Sequence, residues 1–146
     1  MIQPTISKQV WPFLASMSFV VVSFVNIQTK HDNSMPSTHS PWCSILFGKE
    51  GFISVSPNGR TVTVKDAFVS NSAEDSLVQN LLNGHQVPLS IMAISFEERS
   101  RYRINGHATL RKDGSDKNGW LSFTLSVQEA FGNCPKVSIS SEYVWM

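Results

Sequence analysis

Cysteine is nearly absent: two in 146 residues, Cys43 and Cys134. No secretory segment accompanies them, so they are expected as reduced thiols of a cytoplasmic protein rather than as a disulfide. Charge is sparse as well, at 16% of residues with a net value of +1 and no basic run longer than an isolated pair. The electrostatic footprint of nucleic-acid binding is missing, which excludes nucleic acid as an expected partner. Long apolar runs are lacking too. The one candidate, residues 11–25 after Lys8, is interrupted by Pro12, Ser16, Ser18 and Ser23. It falls short of the roughly 20 apolar residues that span a bilayer, and no clear cleavage site follows, so no membrane partner is expected. His31 and His39 stand in a polar stretch with no cysteine or carboxylate arranged around them at metal-site spacing, and no metal is expected. Repeats and low-complexity segments are absent. With 41% apolar residues the chain is sized for one domain, residues 1–146, with a real core at about 17–137.

What the sequence does hold is alternation. In residues 101–110, RYRINGHATL, the set Tyr102, Ile104, Gly106, Ala108 and Leu110 falls on one face and Arg103, Asn105, His107 and Thr109 on the other. This is the period of a half-buried strand. The turn dipeptides Asp113-Gly114 and Asn118-Gly119 follow, and then Leu121, Phe123, Leu125 and Val127 alternate with Ser122, Thr124, Ser126 and Gln128. The two runs predict a hairpin. Further strands are expected at 17–26, 42–47, 52–56, 61–65 and 89–96, the first rich in β-branched residues and apolar on both faces. Residues 27–40 read as a long polar connection, and Ser56-Pro57-Asn58-Gly59 as a tight turn, so that 42–65 suggests an antiparallel meander. One short helix is predicted, with Ser72 as N-cap, Leu77, Val78, Leu81 and Leu82 at helical spacing, and Gly84 as terminator. Six or seven antiparallel strands and one helix fit a mainly β fold, a small barrel whose closure removes exposed edges.

The strand R-x-R-I-N-G-x-A from Arg101, the polar turn, the second strand and the string Gln128-Glu129-Ala130-Phe131-Gly132-Asn133-Cys134-Pro135-Lys136 together resemble the pyridoxamine 5′-phosphate oxidase-related superfamily. Residues 48–55, GKEGFISV, resemble the same family's Gly-Phe strand entry. The resemblance implies the FMN-binding split barrel, a homodimer, and a flavin (FMN)-dependent oxidoreductase acting on a small-molecule substrate that the motifs do not specify. A flavin performs the hydride or electron transfer itself, so the protein need supply only a slot for the ring, contacts to its polar edge and a seat for its phosphate.

By that resemblance the FMN phosphate lies near the strand-to-helix junction, which covers Thr63, Lys65, Ser70, Ser72, Ser76 and Asn80, while Arg101, Arg103 and Gln128 are its other candidate cofactor-binding residues. Ser70, Ser72 and Ser76 read equally as capping and turn residues. Arg101 and Arg103, two apart on one strand, point the same way, toward a shared anion or toward ion pairs with Glu97 and Glu98. One departure stands out. The oxidases of this superfamily carry an Arg-Lys pair in the junction, whereas residues 66–80 contain no Lys or Arg and three acidic side chains. Lys49, Lys65, Arg101 or a partner chain would have to neutralise the phosphate. The alternative is a non-catalytic split-barrel binding module for haem, another ligand or no cofactor. Covalent catalysis by Cys134 with His107 is not expected, and Trp11, Trp42, Trp120 and Trp145 read as core or interface bulk.

Overall fold

The computed structural model describes residues 2–28, 38–70, 75–84, 86–111 and 120–132. Seven antiparallel strands form one sheet: β1 (Phe19–Gln28), β2 (Thr38–Phe47), β3 (Ile53–Val55), β4 (Thr61–Val69), β5 (Val87–Ser95), β6 (Ser100–Leu110) and β7 (Trp120–Gly132). Their order is β2-β1-β5-β6-β7-β4-β3, and a further pairing of β2 with β4 closes six of them into a ring. The mainly β barrel predicted from alternation is the observed fold.

Alternation determines which side chains enter the barrel. Tyr102, Ile104 and Ala108 of β6, and Leu121, Phe123, Leu125 and Val127 of β7, are buried as their period requires. Val20, Val22 and Phe24 of β1 join them, with Val62 and Val64 of β4 and Leu89, Ile91 and Ala93 of β5. Burial pushes the Tyr102 hydroxyl above its ordinary value, since the interior disfavours the phenolate.

Several elements differ from the sequence-based expectation. The connection predicted at 27–40 is shorter, because β1 runs to Gln28 and β2 starts at Thr38, paired Gln28↔Thr38 at the end of the hairpin next to the connection; His31 lies outside the described residues. The meander does not form. β3 pairs with β4 alone, and β2 reaches β4 at its far end through Leu46↔Val69 and Phe47↔Phe68. The cause is the segment 48–52, which folds back on the N-terminal region: the Gly48 amide donates to the Ser18 carbonyl and the Gly51 amide to the Ala15 carbonyl. Gly48 lies against the Phe52 ring, where a Cβ would collide, and Gly51 takes a φ of +87°.

Helix α2 (Ser76–Leu82) is not the only one. A 3₁₀ turn (Lys8–Val10) leads into α1 (Trp11–Ala15), where Pro12 occupies the first turn, the position that needs no amide donor. Leu14 of α1 is fully buried. Ahead of it, Gln3 bridges Ala130 in both directions and the Ile6 amide donates to the Gly59 carbonyl. Residues 3–6 thereby cover the part of β7 beyond its pairing with β4, an edge that would otherwise be open.

β6 and β7 approach closely at Gly106, where a Cβ would strike the Ser126 carbonyl and crowd the Leu125 side chain. Neither ladder backbone can retreat without breaking its register. Gly106→Ala should therefore cost at least about 3 kcal/mol of unfolding free energy, measured by denaturant titration.

Candidate functional site

Two irregularities interrupt the ladders, and each lies beside a concavity. Between β4 and β7 the register passes from Val64↔Phe123 to Ala67↔Leu121, so Lys65 and Asp66 together oppose Ser122. This is a β-bulge, which turns a side chain out of strict alternation. Asp66 takes a φ of 53°, and its amide donates to the buried Ser122 hydroxyl at 2.8 Å. Between β6 and β7 the register passes from Asn105↔Glu129 to Gly106↔Val127, leaving Gln128 as the extra residue.

The first bulge forms one wall of a cleft of about 500 Å³ lined by Lys49, Glu50, Gly51, Phe52, Lys65, Asp66 and Trp120. Lys49 and Glu50 come from the turn between β2 and β3, and Lys65 and Asp66 from β4. Trp120 opens β7 at 43% exposure, and its ring is held edge-on by Phe68 with centroids 5.8 Å apart. Two ammonium groups, two carboxylates and an aromatic face thus border one space. Such a set can bind an acidic group and an aromatic ring together.

The second bulge borders a shallower groove of about 570 Å³ on the outer surface, lined by Ser23, Val25, Trp42, Pro88, Ser90, Asn105 and Gln128 among others. Register aligns Cys43, Ser23, Ser90, Asn105 and Glu129 across five strands. The Asn105 amide donates to the Glu129 carboxylate at 2.7 Å. Rows of apolar side chains flank this polar line, with Val25 52% and Ile45 47% exposed.

The candidate residues read from the sequence do not gather in one place. Lys65 lines the first cleft and Gln128 the second groove. Thr63 is on the outer face of β4, in register with Ser54 and Thr124. Arg101 and Arg103 stand at the start of β6, paired with Ile94 and Met92 of β5. Arg103 is eight residues from Arg111, whose amide donates to the Ser122 carbonyl at the cleft end of the barrel, roughly 26 Å of strand. The Nε of Arg103 is buried and has no hydrogen-bond partner. Ser70 is exposed beyond β4 and Asn80 half-buried on α2; Ser76 opens that helix, and Ser72 lies outside the described residues, as do Cys134, Trp145 and the 133–136 string.

The N-cap of α2 is Asp75, not Ser72. Its carboxylate accepts from the Leu77 amide at 2.9 Å and the Val78 amide at 3.3 Å, and it also accepts the Ser44 hydroxyl at 2.6 Å, while Ser44 takes the Trp42 indole N–H at 3.0 Å. Ser44 and Asp75 are both buried. An aspartate directly before the apolar stripe caps better than a serine three residues earlier, because it satisfies two amides and complements the positive end of the helix. Those two amides are consequently engaged by an internal anion. Leu77, Val78 and Leu81 face the core as predicted, but Leu82 is exposed.

Neither Trp120, which reads as core or interface bulk, nor Asp66, one of the three acids of 66–80, is a site candidate by sequence. The signal that marks them is a phase slip: inward positions step by two from Val62 to Val64, by three to Ala67, and by two again to Val69. A step of three in an alternating run indicates a bulge. Among the described residues, no group of three or more His, Cys, Asp or Glu side chains could hold a metal ion, and no helix is long and apolar enough to cross a membrane.

No protein-family model and no curated protein matches the chain. Solved structures do match. A candidate pyridoxamine 5′-phosphate oxidase from Lactobacillus delbrueckii aligns with a TM-score of 0.55 and 12% identity, over 88% of this chain and 95% of that one. HupZ of Group A Streptococcus aligns with a TM-score of 0.49 and 13% identity, over 89% and 96% of the two chains. The first likeness establishes the split-barrel fold.

Replacing Asp75 tests the capping network directly. Asp75→Ala should lower stability by roughly 2 kcal/mol, since a cap is lost and the buried Ser44 hydroxyl loses its acceptor. Asp75→Asn, whose single oxygen can still cap the Leu77 and Val78 amides while its NH2 faces the Ser44 hydroxyl, should cost an intermediate amount in the same chemical unfolding experiment.

Proposed function

We propose that this protein is a flavin (FMN)-dependent oxidoreductase of the pyridoxamine 5′-phosphate oxidase-like kind, acting as a homodimer on a small molecule. The observation that carries the reading is the convergence of Lys49 and Lys65, from separate segments, on one cleft that also holds Trp120. The junction at 66–80 lacks cations, and these two lysines offset that lack. They would donate charge-assisted hydrogen bonds to the FMN phosphate, with Trp120 and Phe52 offering apolar surface to the rest of the molecule. FMN, when bound, accepts and returns hydride or electrons. The chain's own work is to bind, orient and shield it.

Support for a homodimer comes from the outer face of β1 and β2. Val25, Ile45 and Phe47 are roughly half exposed there, a cluster that a second copy would cover.

A second reading, a binding module without catalysis, is favoured by one specific feature. The Leu77 and Val78 amides at the α2 N-terminus are held by Asp75, and residues 66–80 contribute only acids. The two readings separate in a titration of the purified protein with FMN, followed by flavin fluorescence. Saturable quenching at micromolar FMN or below is expected, weakened roughly tenfold or more by combining Lys49→Ala with Lys65→Ala. A colourless protein that leaves FMN fluorescence unchanged puts the module first.

Self-association has its own measurement. Sedimentation velocity should give a dimer for the native chain, and Val25→Asp combined with Ile45→Asp should give monomers, since two carboxylates in a closed apolar interface are strongly unfavourable.

A further inference from the structure

We infer that the groove over the β1–β5 seam is a binding site for an uncharged, elongated molecule with an apolar body and a carboxamide at one end. The inference stands on this groove alone and does not depend on the flavin reading of the cleft.

The groove follows from the sequence of two strands. β1 continues to Gln28 and β5 begins at Val87, yet they pair only from Val21↔Met92 to Ser23↔Ser90. Continued in that register, Phe24 would meet Leu89 and Val25 would meet Pro88. Proline has no amide hydrogen to give a ladder, so the strands part there. The opening is the groove of about 570 Å³, with Phe24 and Val25 on one side of the seam and Pro88 and Leu89 on the other.

Its two walls differ in chemistry. Ser23, Ser90 and Asn105 are successive register partners, and Gln128, exposed as the extra residue of the second bulge, ends their row. Two positions along the strands, roughly 7 Å away, Pro41, Val25 and Pro88 form an apolar row. Trp42 closes the apolar end at 39% exposure. Its indole N–H is donated to Ser44, and the Ser44 hydroxyl in turn to the buried Asp75. The ring is thereby fixed and offers apolar surface alone.

Charge and hydrogen-bonding capacity then define the ligand. No Lys, Arg, Asp or Glu is among the described residues that line this groove, in contrast with the first cleft. An ion placed there would give up water for neutral walls, which is unfavourable. The Asn105 NH2 is turned to Glu129, which leaves its carbonyl oxygen to accept, and the Gln128 side chain carries both a donor and an acceptor. A carboxamide head complements that pair. The groove crosses from Gln128 of β7 to Trp42 of β2, so an extended apolar body attached to such a head lies along Pro88 and Val25. Val25 also belongs to the face assigned to a second copy, whereas Ile45 is not part of the groove lining.

Three probes of one chain length test this: octanamide, octanoate and octylammonium, titrated calorimetrically into the full chain at neutral pH. Octanamide should bind saturably, and each ion roughly tenfold or more weakly. Gln128→Ala, at an exposed position, should weaken octanamide binding by about fivefold or more while leaving the two ions within about twofold. The preference for the amide should persist in Ile45→Asp, which opposes self-association without touching the groove. Equal binding of the three probes, no saturable binding of octanamide, or a preference that survives Gln128→Ala overturns the inference. A preference lost in Ile45→Asp also overturns it, because the site would then belong to an interface between copies and not to one chain.

Discussion

The barrel closes through very little. Two residue pairs, Leu46↔Val69 and Phe47↔Phe68, join β2 to β4, and the β1–β5 seam has three. The remaining seams are long ladders, nine pairs between β5 and β6 and ten between β1 and β2. Closure at a short seam demands that β4 reach both β7 and β2, and a flat strand cannot do so. The bulge at Lys65 and Asp66 supplies the bend, since an extra residue on one strand increases local twist and turns the strand away from its partner. Beyond the bulge, Ala67 and Val69 point inward and Phe68 sits outside against Trp120. The same irregularity that completes the ring therefore builds the cleft wall.

The second bulge acts in the same way on β7. Gly106 lets β6 and β7 come together there, and the extra residue, Gln128, accompanies Glu129 toward Asn105. Beyond it, β7 no longer runs beside β4, and residues 3–6 take over the vacated edge through the Gln3 to Ala130 bridge. At the first bulge the Ser122 hydroxyl takes the Asp66 amide, and past the second the N-terminal segment pairs with Ala130 along the edge that β4 leaves.

Much of this was legible in the residues. Alternation in 101–110 and 121–127 predicts β6, β7 and their hairpin, and the R-x-R-I-N-G-x-A strand with the string from Gln128 carries the resemblance that implies the split barrel. What alternation does not encode is which strands become neighbours. The order of β2, β3 and β4 depends on the packing of 48–52 against α1, a long-range contact with no local period. The site was legible only in fragments. Lys65 and Lys49 stood out as cations near an anionic junction, but Trp120 belonged to a different strand, and only register brings it to them. Asp75 was missed as a cap because the capping-box pattern favoured Ser72, whereas the preference is decided by a buried partner, Ser44, 31 residues away. The bulges were written as steps of three among the inward positions, 64 to 67 and 127 to 130, and those steps are the local trace of a tertiary requirement.

The row that links fold to chemistry crosses the short seam itself. Phe19, Phe47, Phe68 and Trp120 are successive register partners over β1, β2, β4 and β7, outside the barrel. Phe47 belongs to the half-exposed face of the β1–β2 hairpin, and Trp120 belongs to the cleft. An ammonium group in open water holds a phosphate weakly, because solvent screens the pair. A partner copy seated along the aromatic row would exclude that water from the side of the cleft nearest Trp120, and the same lysines would attract an anion more strongly. Under the proposed function, ligand affinity and self-association are then coupled, each favouring the other by the same free energy. A short, aromatic-clad seam suits such coupling better than a long ladder would, since among the described residues Phe47, Phe68 and Trp120 are all partly exposed on its outer side.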